Sequence, residues 1–137
     1  MYIILNKITK IYYAHHLWKY NTPIEEYELS VIKRYFPYHI IVNPNGCIEQ
    51  NREEGVIMKD CLDCIEKCDI LIFSSVNGFI GRGVYDEFNK ALELGFPIYY
   101  IMDDILYDAR GYKFKFTNSG NNRLYAIVST DTKGEIK

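Results

Sequence analysis

No apolar run reaches the roughly 18 residues needed to cross a bilayer. The start of the chain lacks the charged segment and small-residue cleavage site of a secretory signal, so no membrane partner and a cytoplasmic location are expected. Net charge is also scarce: 16 Lys+Arg against 18 Asp+Glu leave −2. That balance argues against a nucleic-acid polymer as partner, because a dedicated binder shows a basic face, while leaving room for a local basic pocket. There is no internal repeat, low-complexity tract or linker, so residues 1–137 read as one domain.

Cysteine is sparse and patterned. Cys61, Cys64 and Cys68 recur at i, i+3 and i+7 in a helical stretch that also carries Ile57 and Ile65. A metal cluster would need Cys47 or a histidine as fourth ligand, whereas buried free cysteine behaves as a small hydrophobe, and the stripe reads as apolar packing. Disulfides do not suit the expected compartment. No metal and no cofactor are expected.

Apolar residues, by contrast, make up 48% of the chain and aromatics 15%, enough for a folded domain with a sizeable core. The organising stretch is Gly81-Arg82-Gly83-Val84-Tyr85-Asp86-Glu87-Phe88-Asn89-Lys90-Ala91, read as a loop that ends a buried strand at 69–75 and opens a helix. The two glycines would let the backbone turn tightly or approach a ligand, and the helix start would offer free amides and the positive end of its dipole. A helical wheel places Val84, Phe88, Ala91, Leu92 and Gly95 on one face, with Glu87 at its edge and Asp86 on the solvated side. Glu87 is therefore a candidate nucleophile, although first-turn acids also serve simply to favour the dipole.

Taken in order, residues 1–5 form a short apolar run and Lys10-Ile11-Tyr12-Tyr13-Ala14 the better core strand, followed by a loop with His15, His16, Leu17 and Trp18. Thr22-Pro23-Ile24-Glu25 carries a cap, a proline at the first helical position and a capping-box glutamate, and the helix turns Ile24, Tyr27, Val31 and Tyr35 inward. A strand at 39–42 closes in the turn Asn43-Pro44-Asn45-Gly46; residues 47–55 are irregular, and 56–68 are helical. On that helix Asp60 lies at the margin of the apolar stripe and Asp63 faces solvent. After the Glu87 helix, Gly95-Phe96-Pro97 stops the chain before a strand at 98–102. Residues 112–117 and 123–129 alternate around Asn118-Ser119-Gly120-Asn121-Asn122, as a hairpin or as one edge strand with a long loop, and the tail 131–137 is polar.

Strands alternating with helices predict a three-layer α/β domain with a mostly parallel sheet. Ligands of such sheets bind beyond the carboxyl ends of the strands, where 14–18, 43–46 and 74–83 would converge. Ala14, His15, Trp18, Ser74, Ser75, Asn77, Gly81, Arg82 and Gly83 are accordingly the candidate binding residues. For the two histidines the alternative is a capped loop position.

In this order the residues resemble a family, the nucleoside 2-deoxyribosyltransferases and related deoxynucleoside 5′-monophosphate N-glycosidases. The likeness rests on Ile11-Tyr12-Tyr13-Ala14, on an acid-bearing helix ending at Cys68-Asp69, and on Gly83-Val84-Tyr85-Asp86-Glu87 with Ala91 four residues on. It implies a flavodoxin-like (Rossmann-like) fold, Glu87 as nucleophile and Tyr12 as the hydroxyl that orients it. The family's acid on the preceding helix is carried by Asp60 through a shifted register, since strict spacing from Asp69 puts Cys61 there. Cleavage or transfer at the N-glycosidic bond of a nucleotide or nucleoside would follow, in a homodimer or higher homo-oligomer. Arg82, the helix N-terminus, Ser74 and Ser75 would hold a 5′-phosphate, and Trp18, Leu17 or Tyr13 would stack on the base. The alternative is a non-catalytic module that binds a nucleotide-derived signal; a phosphoribohydrolase is a third option.

Overall fold

The computed structural model describes residues 9–48, 52–119 and 122–130. The apolar run at 1–5, the tail 131–137 and the loop tip at 120–121 lie outside them. Among the described residues, eight strands, three full helices and one irregular turn follow in the order β1 Lys10–Ala14, α1 Pro23–Tyr35, β2 Ile40–Val42, α2 Pro44–Cys47, α3 Glu54–Ile65, β3 Ile70–Ser74, β4 Phe79–Gly81, α4 Arg82–Leu94, β5 Ile98–Met102, β6 Ile105–Asp108, β7 Tyr112–Ser119 and β8 Asn122–Thr130. A 3-10 turn, Leu17–Lys19, joins β1 to α1. The α2 segment is a turn in substance, as expected, because Asn45 and Gly46 leave helical geometry.

Five strands form a sheet in the order β2-β1-β3-β5-β6, parallel except for β6, which runs antiparallel to β5. The runs that looked buried on both faces are so, and alternation sorts them. Ile11, Tyr13, Ile70 and Ile72 pack with Val31 and Ile32 of α1. Tyr12, Ala14, Leu71 and Phe73 pack with Cys61 and Ile65 of α3 and with Val84 and Phe88 of α4. From β1 the chain crosses to β2 on one side, and from β3 to β5 on the other. The carboxyl ends of β1 and β3 thus flank the point where strand order reverses, which is where such sheets hold ligands.

A second sheet of three antiparallel strands, β4-β8-β7, covers part of the α4 face. The 112–129 region is therefore a hairpin, and its partner β4 was not foreseen. Residues 75–83 are not a single loop: Val76 and Phe79 exchange backbone hydrogen bonds around Asn77 (φ 53°) and Gly78 (φ 84°), and the tight turn falls there. Gly81 has an ordinary extended backbone as the residue before α4. Its lack of a side chain gives the His16 ring room, since a Cβ there would stand 3.0 Å from that ring and the ring would have to shift.

The inward face of α1 also differs from the apolar wheel. Ile24 and Tyr27 are exposed, while Glu25 and Glu28 are buried beside Val31 and Ile32. Partners explain the rotation: both carboxylates accept hydrogen bonds from groups on β1, β3 and the loops, which offsets their desolvation. Thr22 caps the helix by accepting from the Glu25 amide, while the Glu25 side chain reaches past the cap, accepting from the Asn21 amide and meeting His15. Thr22→Ala is expected to lower stability by about 1 kcal/mol in chemical denaturation, with the midpoint moving and the slope unchanged. Gly95 closes α4 in the left-handed conformation as predicted. Among the described residues, no helix is long and apolar enough to cross a membrane.

Candidate active site

Tyr12 points from the middle of β1 toward α4, and Glu87 points down from the second turn of α4 to meet it. The phenol donates to Glu87 Oε2 at 2.5 Å, with Tyr12 fully buried and Glu87 5% exposed. Cys61, from α3, packs in the same cluster and influences both electrostatically. Burial dominates the electrostatics of this cluster. It pushes the Glu87 carboxyl up to about 7, against hydrogen bonds from Tyr12 and Cys61 that favour the anion. It likewise raises Tyr12 far above the usual phenol range, with Glu87 adding to the effect, and raises the Cys61 thiol to about 12. Tyr20 is raised by its own burial and then by Glu87 and Cys61.

Asp60 is not part of this cluster. It pairs with Arg52 on the outer side of α3, and both side chains are more than a third exposed. The helix keeps strict spacing, so the residue aimed at Glu87 is Cys61; one step along a helix turns a side chain by roughly 100°. Buried, with a raised pKa, Cys61 and Cys68 are expected to resist an aqueous thiol reagent until the protein unfolds, while exposed Cys47 reacts at once.

The remaining candidates divide between the two faces of the sheet. Ser74 faces α1, where it donates to Glu28 Oε1 (2.7 Å) and accepts from Lys19 Nζ (2.9 Å). It is thus separated by the sheet from Arg82, which stands at the start of α4 with an exposed side chain 3.6 Å from Asp86. Ser75 bonds the Tyr100 hydroxyl at 2.6 Å, and its carbonyl accepts from Lys19 at 2.7 Å. Ala14 is core, and Gly83 sits in helix with open space beside it. Tyr13 is buried, stacked on His15 and donating to Glu28, and so offers no face to a base.

His15 is also buried, with Nδ1 3.2 Å from the Tyr13 carbonyl and Nε2 2.7 Å from Glu25 Oε2. Burial lowers its pKa, and the pair is held by Asn45, which donates to both Glu25 oxygens. His16 takes the capping alternative: its Nδ1 accepts from the Trp18 amide at 3.0 Å. Trp18 and Asn77 line a cleft of about 200 Å³ with His16, Val76, Phe79 and Leu124. A larger cleft of about 390 Å³ lies among Tyr100, Met102, Tyr107 and Tyr112. Neither is lined by Glu87 or Tyr12.

Lys19, Glu28 and Tyr20 were missed. Glu25 and Glu28 share a helical face with Val31 and Ile32, a coincidence of acid and core visible on a wheel; nothing local marks Lys19 or Tyr20. Among the described residues, no group of three or more His, Cys, Asp or Glu is placed to hold a metal. The chain matches no family model, and no curated protein and no solved structure gives a match to it.

Proposed function

We propose that the protein cleaves or transfers at the N-glycosidic bond of a nucleotide or a (deoxy)nucleoside, with Glu87 as nucleophile. The observation that carries this reading is the buried Tyr12–Glu87 hydrogen bond at 2.5 Å, between the middle of β1 and the second turn of α4. In the ionised form, a Glu87 oxygen attacks C1′ while the C1′–N bond breaks. The electron pair leaves with the base, which takes its proton from water, since Asp60 is engaged with Arg52 on the outer side of α3. Water, or a second base, then displaces Glu87 from the ester at C1′. Tyr12 holds the carboxylate in line throughout. The same reading takes the five-stranded sheet as flavodoxin-like and the working form as a homodimer or higher homo-oligomer.

One observation favours a second reading, a module that binds a nucleotide-derived molecule without cleaving it: Cys61, a thiol held neutral, occupies the position an acid would need. Incubation with a panel of ribo- and deoxynucleotides and nucleosides, followed by chromatography for free base, separates the two. Base release that Glu87→Gln abolishes supports glycosyl chemistry; binding across the panel without release supports the module.

A further inference from the structure

We propose that the outer face of the small sheet, together with the Leu17–Lys19 turn, binds a planar aromatic ring that carries an anionic group, and that Lys115 is the anion contact. Using nucleotides as probes rests on the glycosyl reading; the binding face itself does not.

The ring site is the cleft of about 200 Å³. Trp18 forms one wall, and it is 63% exposed although the turn bearing it is firmly anchored. Its amide is bonded to His16 Nδ1, its ring lies 4.4 Å from the His16 ring centroid, and the next residue, Lys19, is buried with three hydrogen bonds from Nζ. An exposed indole held this way loses little freedom when a ring stacks on it. Phe79, 38% exposed, stands on the same cleft, and Asn77 adds an amide at its edge from a backbone with φ 53°.

Strand register brings the charge. Phe79 pairs with Ala126, and Ala126 with Lys115, so all three project from one face of the sheet. Lys115 therefore starts two strand spacings, roughly 10 Å, from Phe79, close enough for an extended lysine to meet a substituent of a ring in the cleft. It is exposed and makes no ion pair among the described residues. No acidic residue lines the cleft.

Trp18 is the sole tryptophan, so its emission reads the cleft directly. The full chain is titrated with AMP against adenosine and with dTMP against thymidine, in the wild type, in Lys115→Met and in Glu87→Gln. Each nucleotide is expected to quench Trp18 and to bind at least roughly tenfold more tightly than its nucleoside, an advantage that shrinks with salt. Lys115→Met brings the two within about twofold and leaves nucleoside binding unchanged. No quenching by any probe, equal binding of nucleotide and nucleoside, or an advantage that survives in Lys115→Met each overturns the proposal; the last assigns Lys115 only to guarding an edge strand. Binding without base release from the wild type sinks the glycosyl reading alone, and base release with no Trp18 response sinks this one alone.

Discussion

Glu87→Gln is expected to stabilise the protein at neutral and alkaline pH while eliminating base release. The carboxyl is almost wholly buried and its pKa is raised from 4.5 to about 7. In the unfolded chain the same group ionises near its ordinary value. Below about 4.5 both states hold the proton and the group costs nothing. As pH rises toward 7 the unfolded state gives up its proton first, so stability falls; above 7 the loss is complete, at roughly 3 kcal/mol. Glutamine keeps an acceptor for the Tyr12 hydroxyl and has no proton to lose. Melting temperatures across that range should therefore slope downward for the wild type and less so for the variant. Parallel slopes would show that Glu87 ionises without penalty and is not desolvated. Base release should fall at least roughly 10³-fold, since the attacking oxygen is gone. For the wild type it should rise through the same pH interval, because only the carboxylate attacks.

Lys19→Met should produce the largest loss of stability. Lys19 Nζ donates to Glu28 Oε2 at 2.8 Å, to Ser74 and to the Ser75 carbonyl, and both members of the ion pair are almost wholly buried. Methionine fills the space but leaves the Glu28 carboxylate facing Tyr13 and Ser74 with no cation, and removing one partner of a buried pair costs roughly 3–5 kcal/mol. The melting temperature should fall by roughly 10–20 °C. Adding Glu28→Gln should recover much of it, because the stranded charge, rather than the lost contact, is the main penalty. A double variant no more stable than Lys19→Met would place the cost in packing. The turn that presents His16, Trp18 and Tyr20 hangs on this lysine, so Trp18 emission should shift in the single variant.

The legible parts of the fold were those with a strong period or a local signal. The runs around Tyr12 and Phe73, the Thr22-Pro23 helix start and the Gly95 stop each announce themselves within a few residues, whereas the alternation at 112–129 leaves a hairpin and a single edge strand equally open, and only the pairing decides between them. The Tyr12–Glu87 contact, 75 positions apart, was reachable only through the resemblance, and it is present. The face of α1 was misread because a hydrophobic wheel ranks Ile24 above Glu25 and Glu28, and a buried acid is intelligible only once its donors on β1, β3 and the 15–19 segment are in place. Asp60 was favoured over Cys61 for the same kind of reason. Chemistry preferred the carboxylate, while helix geometry preferred the residue one step further.

Local sequence, then, settles where backbone hydrogen bonds close on themselves and which residues must leave water, since period and capping act over one or two turns. Which polar groups may be buried is a different question, answered only when distant strands supply the matching donor. The β4–β8 pairing, the Lys19–Glu28 tie and the Tyr12–Glu87 hydrogen bond are all of that second kind, and they arise from chain closure over long separations that no short window of residues can encode.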